Sequence, residues 1–474
     1  MLLRLLYDEK LAHASYLIGC QASGEAMVVD PNRNVGRYVE LARKEGLRVA
    51  HVTETHIHAD FVSGARELAH RTGARLYLSA MGGADWQYRF ADAAGAELLK
   101  DGSSIRVGAI ELSVLHTPGH TPEHLAFLVT DTRAGSDPMG ALTGDFLFVG
   151  DVGRPDLLER AAKQHGTMVA SAHQLFASLR RFRALPEYLQ IWPAHGAGSA
   201  CGKSLGAVPQ STLGYEKRTN WAFAVEDEEE FVRLILEGQP EPPRYFAFMK
   251  QINRDGPPLV GDTLRVERLP ATRVAPALAA GAVVVDTRSA QEYARGAVRG
   301  TINIPANRAF VTWAGWLLPY DRDIYLITDG KDATAAEGMA RELSGIGLDR
   351  VAGHFVAGDL KHSPNDGSPQ EVPDVDGATV ERSVAGGGVT LVDVRAASEW
   401  REGHIPSARH LFLGELPDRI EELPRDRPVV VHCQNGGRAA IAASVLLARG
   451  FADVAVFPGG FAEWKASGRA VARN

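Results

Sequence analysis

Val49-Ala50-His51-Val52-Thr53-Glu54-Thr55-His56-Ile57-His58-Ala59-Asp60-Phe61 is the stretch on which the reading of the first half turns. A β-rich run ends near Thr53-Glu54, and two imidazoles and a carboxylate follow at once, a concentration that a plain loop has no packing reason to carry. Upstream, Ala26 to Val29 reads as a strand and Val35 to Glu45 as a helix. This alternation predicts a layered α/β domain. Three further polar groups each follow a β-rich segment: Thr117-Pro118-Gly119-His120-Thr121, Thr143-Gly144-Asp145 and Trp192-Pro193-Ala194-His195-Gly196. Strand ends converge on one rim of such a sandwich, so residues distant in sequence can present nitrogen and oxygen donors to one ion. An isolated loop histidine is ordinarily a solvated or hydrogen-bonded side chain; the ordered set is what points to a metal.

The second half contains an internal repeat. Val283-Val284-Val285-Asp286-Thr287-Arg288, with Glu292-Tyr293 and Gly300 to Pro305, answers to Leu391-Val392-Asp393-Val394-Arg395, with Glu399-Trp400 and Gly403-His404-Ile405-Pro406. Tyr325 to Asp329 parallels Val429 to Cys433, so Asp329 stands where the other copy has its cysteine. Cys433-Gln434-Asn435-Gly436-Gly437-Arg438 lies between a buried-strand pattern and an alanine- and leucine-rich helix from Ala439 to Arg449. Small loop residues allow successive N–H groups to point inward at whatever Cys433 carries, and the helix N-terminus adds partial positive charge.

The chain has 474 residues, enough for about three domains at the usual ~100 to 200 residues each. Loop-like stretches from Gly238 to Pro243, extending toward Gly256-Pro257-Pro258, and from His362 to Pro369 place boundaries that divide it into 1–261, 262–369 and 370–474. Its 51 basic and 58 acidic residues give a formal charge of −7, which offers no broad cationic surface for a phosphate backbone, so nucleic acid is not an expected partner. Three cysteines, Cys20, Cys201 and Cys433, build no disulfide framework and fit a reducing compartment. Arg4 interrupts the apolar start of the chain, unlike a signal peptide, and no run approaches the ~20 apolar residues of a spanning helix. A soluble, cytoplasmic protein without membrane partners is expected; a homo-oligomer is compatible with the sequence.

On His56, His58, Asp60, Pro118 to Pro122, Thr143 to Asp145 and Gly153-Arg154-Pro155-Asp156, the first ~260 residues resemble the persulfide dioxygenases of the metallo-β-lactamase superfamily. The superfamily pattern His-x-His-x-Asp-His is broken at Phe61, whose phenyl ring has no lone pair to offer a second metal. The resemblance implies an αββα sandwich and one Fe(II) per chain held by His56, His120 and Asp145. His58, Asp60 and His195 take outer-shell or additional-ligand roles, and zinc is the alternative occupant. Two imidazoles and one carboxylate on one face leave open positions, an arrangement associated with non-haem iron and dioxygen. Asp60 has a duller alternative as a helix cap. Cys201, beside Lys203, reads equally as a loop filler or as a sulfur-handling thiolate at the mouth of the site; Arg154 and Arg89 read as ordinary surface or core side chains, with recognition of an anionic thiol carrier as the alternative.

Residues 370–470 resemble the rhodaneses through the active-loop pattern Cys-x-x-Gly-x-Arg, with the six-residue length associated with sulfur transfer. This implies that Cys433 is the nucleophile that becomes a persulfide, that Gln434, Asn435, Gly436 and Gly437 cradle it, and that Arg438 positions the donor. The middle module, with Asp329 in place of the thiol, is an inactive rhodanese-like domain. The whole chain then reads as an α/β protein that oxidises a low-molecular-weight thiol persulfide with O₂ to sulfite and transfers sulfur through Cys433, making or using thiosulfate. The alternatives are a glyoxalase II-like thioester hydrolase fused to a sulfurtransferase, and a non-catalytic sulfur carrier or redox sensor.

Overall fold

The computed structural model describes all residues except 158, 160–165, 204, 240, 262–264, 361–369 and 474. It separates into two compact units, Met1–Thr263 with Ser344–Gly347, and Leu264–Leu343 with Leu348–Asn474. The divisions expected at 262 and 370 adjoin or fall within 262–264 and 361–369, outside the described residues.

The first unit holds two six-stranded sheets. One runs β1 (Leu2–Asp8), β2 (His13–Cys20), β3 (Glu25–Val29), β4 (Arg48–Thr53), β5 (Arg75–Ser79) and β6 (Glu97–Leu99), in that spatial order. The other has the order β12-β11-β10-β9-β8-β7, comprising β7 (Ser104–Val107), β8 (Ile110–His116), β9 (Leu125–Asp131), β10 (Gly140–Gly144), β11 (Gln190–Pro193) and β12 (Ser211–Thr212). β2 shows why the sheets stack. All eight of its residues are buried, and alternate side chains serve opposite faces. Tyr16, Ile18 and Cys20 join the core between the sheets, with Phe127 and Trp192. Leu17 joins the core beneath α1 (Gly36–Lys44) and α2 (Ala65–Thr72). On the far side, α3 (Met168–Arg183) and α4 (Glu228–Leu236) cover the second sheet through Leu175, Leu179 and Phe231. The acidic run before α4 works as helix-start chemistry: the Asp227 side chain accepts from the Glu230 N–H.

The stretch from Gly238 toward Pro258, expected as loop, contains a helix, α5 (Phe246–Asp255). Buried Phe246 and Met249 supply its apolar side. The prolines around it drew the reading toward a linker and masked a helix short enough to fit between them.

The second unit contains the sequence repeat as two four-stranded parallel sheets of the same order. The first is β14-β13-β15-β16, from β13 (Val283–Asp286), β14 (Ile302–Asn303), β15 (Ile324–Thr328) and β16 (Val351–Val356). The second is β18-β17-β19-β20, from β17 (Thr390–Asp393), β18 (Arg409–His410), β19 (Val429–His432) and β20 (Val454–Phe457). Parallel strands covered on both faces explain the unbroken Val-rich runs. The modules touch each other: the Asn303 N–H donates to Ser444 Oγ at 2.9 Å on α6 (Gly437–Ala448), and Trp316 meets Phe412 edge to face at 5.2 Å.

Candidate metal centre and cysteine loop

The ends of β4, β8, β10 and β11 meet at one rim, bringing His56, His120, Asp145 and His195 together in a buried cluster. Nε2 of His120 lies 3.4 Å and Nε2 of His56 3.9 Å from Asp145 Oδ2, and Nε2 of His195 lies 3.4 Å from Oδ1. His56, His120 and Asp145 satisfy the reach of one ion; Asp60, His195 and Cys201 form a second such group beside it.

The protons of these rings can be assigned from their other nitrogen. His120 Nδ1 donates to the Arg154 carbonyl at 3.0 Å, and His195 Nδ1 to the Ala12 carbonyl at 2.8 Å. His56 Nδ1 is 2.9 Å from Thr55 Oγ1, whose own hydrogen goes to Asp30 Oδ2 at 2.9 Å, so the hydroxyl must accept from the ring. His56 and His120 therefore turn an Nε2 lone pair toward one carboxylate, whereas for His195 burial works against a charge but Asp145, Cys201 and Asp60 hold the ring well above the usual imidazole range. Burial holds His56 well below the usual imidazole range, and lowers His120 against the pull of Asp145. Burial opposes ionisation of Asp145, but His195 and His56 hold its carboxyl well below the ordinary range. Nε2 of His56 and His195 and both carboxylate oxygens of Asp145 are buried without any hydrogen-bond partner. Neutral lone pairs facing an anion with no proton between them repel, and unpaired buried polar atoms cost ~1–3 kcal/mol each. The donor set thus fits a cation, two imidazoles and a carboxylate in the manner of a non-haem divalent metal.

Other residues stand around this group. His58 does not join it: its Nε2 pairs with Asp30 Oδ1 at 3.2 Å, and although burial works against its charge, Asp30 raises it to about 9. Asp60 caps no helix; the N-cap of α2 is Gly64, without a side-chain cap, and Asp60 Oδ2 lies 3.2 Å from His195 Nε2. Phe61 is fully buried, its ring 4.4 Å from His58 and 4.1 Å from His13. Cys201 is a thiol: burial first, then Asp60 and Asp145, push it up to about 12. Lys203 does not counter this, because its Nζ donates to the Leu234 carbonyl at 2.6 Å. Arg154 is completely buried, its guanidinium gripped by Asp156 at 2.7 and 2.8 Å and bonded to the Ala200 carbonyl. Exposed Arg89 pairs with Asp255 at 3.3 Å.

Four residues of this centre are absent from the sequence reading. Asp30, in a left-handed conformation at φ 51°, accepts from the Thr55 N–H at 2.6 Å as well as from its hydroxyl. His124 accepts the Asp145 N–H on Nε2 at 3.1 Å and bonds Thr117 Oγ1 through Nδ1 at 2.8 Å. Asn253, on α5, donates to the His58 and Phe61 carbonyls at 2.8 and 2.7 Å and accepts from the Ser63 N–H. His13 is buried with both ring nitrogens unpartnered. Of these, only His124 had a sequence signal, its position four residues after His120.

In the last module, Cys433 follows β19 and is buried. Gln434 and Asn435 are partly or fully exposed, and Gly436 is buried at φ 83°, where a Cβ would meet the Pro458 carbonyl oxygen at 2.7 Å. Only glycine fits there. Gly437 opens α6, and its own N–H donates to the Asn435 carbonyl at 3.1 Å. Arg438 is clamped by Glu399 at 2.6 and 2.8 Å; burial works against its charge, and Glu399 and the Cys433 sulfur outweigh it. Arg395 donates to Asp393 through Nε and Nη2, to the Gly403 carbonyl and, at 3.4 Å, to Gln434 Oε1. The middle module repeats the brace, with Arg288 on Asp286, but its exposed Asp329 pairs with Lys331 at 3.0 Å.

A two-sheet sandwich whose strand ends collect a His-His-Asp group is the architecture of metal-dependent metallo-β-lactamase-fold proteins. The model of the metallo-beta-lactamase superfamily matches residues 9–195 and that of the rhodanese-like domain residues 377–467. Human "Persulfide dioxygenase ETHE1, mitochondrial" is 32% identical over 197 residues, covering 41% of this chain and 68% of that protein. "Hydroxyacylglutathione hydrolase" of Methylococcus capsulatus is 35% identical over 180 residues, 38% of this chain and 60% of that protein. A solved structure of a metallo-beta-lactamase from Staphylococcus aureus aligns with a TM-score of 0.67 at 43% identity, over 75% of this chain and 99% of the other. The chain belongs to the metallo-beta-lactamase superfamily, has ETHE1 persulfide dioxygenase homologues within it, and carries a C-terminal rhodanese-like domain. Among the described residues no helix is long and apolar enough to cross a membrane.

Proposed function

We propose that the chain is a persulfide dioxygenase joined to a sulfurtransferase, built as a sandwich domain over 1–261, an inactive rhodanese-like module over 262–369 and an active one over 370–474. The observation that carries the first activity is the set of three Nε2 atoms turned on Asp145, with buried Phe61 packed against His58 nearby. His56, His120 and Asp145 are the proposed ligands of one Fe(II). Bound there, iron supplies a centre at which dioxygen and a persulfide sulfur can react. The balanced reaction takes persulfide, dioxygen and water to thiol, sulfite and two protons.

This chain's own residues have separable tasks. The Arg154 carbonyl, the Thr55 hydroxyl and the Ala12 carbonyl fix the tautomer and orientation of His120, His56 and His195. Asp60 accepts from His195 when that ring is protonated. Phe61 fills with hydrocarbon the position at which the superfamily pattern has a further imidazole. Cys201, a neutral thiol beside Asp60 and His195, is assigned a sulfur-handling contact rather than a nucleophilic attack.

In the last module Cys433 accepts a sulfane sulfur as its own persulfide, cradled by the loop Gln434 to Gly437 and by Arg438, and passes it to an acceptor; with sulfite the product is thiosulfate. Retention of the rhodanese loop between β19 and α6 supports this, as does the Glu399 clamp that aims Arg438.

A second reading, thioester hydrolysis on two ions, is favoured by one observation: Asp60, His195 and Cys201 could hold a further ion. Anaerobic metal analysis followed by persulfide-dependent oxygen uptake, against thioester cleavage by zinc-loaded protein, separates the two.

A further inference from the structure

His13, the first residue of β2, is a buried imidazole to which the chemistry above gives no task. β2 runs antiparallel to β3, and β3 parallel to β4, so the start of β2 lies at the rim where β4 ends in the metal loop. The main chain on both sides of His13 is tied to the segment that carries His195. The Ala12 carbonyl accepts from His195 Nδ1 at 2.8 Å, and the Ala14 N–H donates to the Ala194 carbonyl at 2.7 Å. The centroid of the His13 ring lies 5.8 Å from that of His195, 6.1 Å from that of His58 and 4.1 Å from that of Phe61. An imidazole from another strand thus stands against the phenyl ring that breaks the His-x-His-x-Asp-His pattern.

Among the described residues neither nitrogen of this ring has a hydrogen-bond partner, although the ring is wholly buried. Packing alone would be served better by leucine or valine, because an unpaired buried polar atom is destabilising. Nor is a metal ion the reason for it, since His13 belongs to neither of the two groups with the reach of one ion. Burial first, then His195 and His58, hold it well below the usual imidazole range, which leaves a neutral ring with one N–H and one lone pair. Of the reactants brought to this centre, a sulfur anion accepts from such an N–H, whereas dioxygen is a weak acceptor. We infer that His13 is a substrate-contacting residue that donates its N–H to the anionic outer sulfur of the persulfide seated at His56, His120 and Asp145. The inference rests on the persulfide reading above and deepens it: the hydrocarbon of Phe61 offers that sulfur no hydrogen bond, and the imidazole packed against it supplies one.

The probe is methanethiol, a thiolate no bulkier than the sulfur end of the substrate, added under argon to cobalt(II)-loaded full-length protein. Its binding is read from the sulfur-to-cobalt charge-transfer absorption. His13→Leu should weaken methanethiol about tenfold, the loss of a hydrogen bond to a charged group, and His13→Gln, which keeps an N–H donor, should stay within about threefold of wild type. In iron-loaded protein His13→Leu should raise KM for glutathione persulfide about tenfold with kcat nearly kept, as for a contact made equally before and during reaction. Affinity for ferrous ion, by anaerobic chelator competition, should stay within about twofold of wild type, since no ligand is lost. The metal-free Leu variant should unfold at a temperature no lower than wild type, because hydrocarbon has replaced an unpaired imidazole. Methanethiol affinity changed less than about twofold by His13→Leu overturns the inference, and the ring then serves an internal water only. So does a Gln variant no better than the Leu variant. A roughly tenfold loss of ferrous affinity, or metal-free Leu protein that unfolds more than about 5 °C lower, also overturns it, since the ring would then be a ligand or a packing element. If glutathione persulfide drives no oxygen uptake in wild type, the dioxygenase reading fails and the cobalt titration decides His13 separately. A roughly tenfold weaker thiolate band in the Leu variant supports the contact, and equal affinity, or no thiolate band in wild type, overturns it.

Discussion

His124 is the residue whose removal tests the metal centre most informatively, because it touches the ligand Asp145 only through the main chain. Its ring is neutral, held well below the usual imidazole range by burial and then by His120. With the Asp145 N–H donating to Nε2 at 3.1 Å, the proton must sit on Nδ1, which donates to Thr117 Oγ1 at 2.8 Å. The ring also abuts Gly144, at φ 51°, where a Cβ would come within 2.6 Å of Nε2. His124→Ala strands the Asp145 amide and the Thr117 hydroxyl in a dry interior and opens a cavity. Two unsatisfied groups at ~1–3 kcal/mol each amount to a loss of about 2–6 kcal/mol. Because the freed peptide is that of a proposed ligand, affinity for ferrous ion should fall by about ten- to a hundredfold. His124→Gln, whose amide oxygen can still accept the Asp145 N–H, should recover most of that affinity but not the Thr117 bond. Anaerobic chelator competition reads the affinity, and thermal unfolding of the metal-free protein reads the stability. An affinity within twofold of wild type for His124→Ala, or a Gln variant no better than the Ala variant, would refute the positioning role.

His120→Ala or Asp145→Ala should abolish metal retention and oxygen uptake while Cys433 still acquires sulfur; loss of both activities would point to coupled or misfolded units. Cys433→Ser should show the reverse pattern in the same two assays. Glu399→Gln removes one charge from the clamp on Arg438 and, at about 1–2 kcal/mol for a charge-assisted contact, should slow sulfur transfer roughly tenfold without touching oxygen uptake. Asp329→Cys should leave transfer confined to Cys433, since position 329 is exposed and lies in a loop organised by its pairing with Lys331; a new persulfide at 329 by mass spectrometry would contradict that.

The parts of the fold legible in sequence are those written in local periodicity. The Val-rich runs of β13, β15, β17 and β19 and the clusters after β4, β8, β10 and β11 announce themselves because strand ends and buried parallel strands leave strong residue signatures. The pairing of Arg154 is illegible for the opposite reason: an arginine's burial depends on a partner, and Asp156 two residues on gives no periodic clue to the bidentate pair. Asp30 and Asn253 were invisible because they act at a distance, reaching the metal loop from β3's end and from α5. Lys203 illustrates a limit of neighbour reasoning: adjacency to Cys201 implied a thiolate, yet its ammonium turns to the Leu234 carbonyl and the thiol stays protonated.

The number of ions at the common rim of the two sheets decides which chemistry the centre supports. Protein purified without oxygen should contain one iron per chain and, on addition of a thiol persulfide, consume dioxygen and release sulfite in equal amounts. Two ions per chain, with brisk thioester cleavage and no persulfide-dependent oxygen uptake, would contradict it.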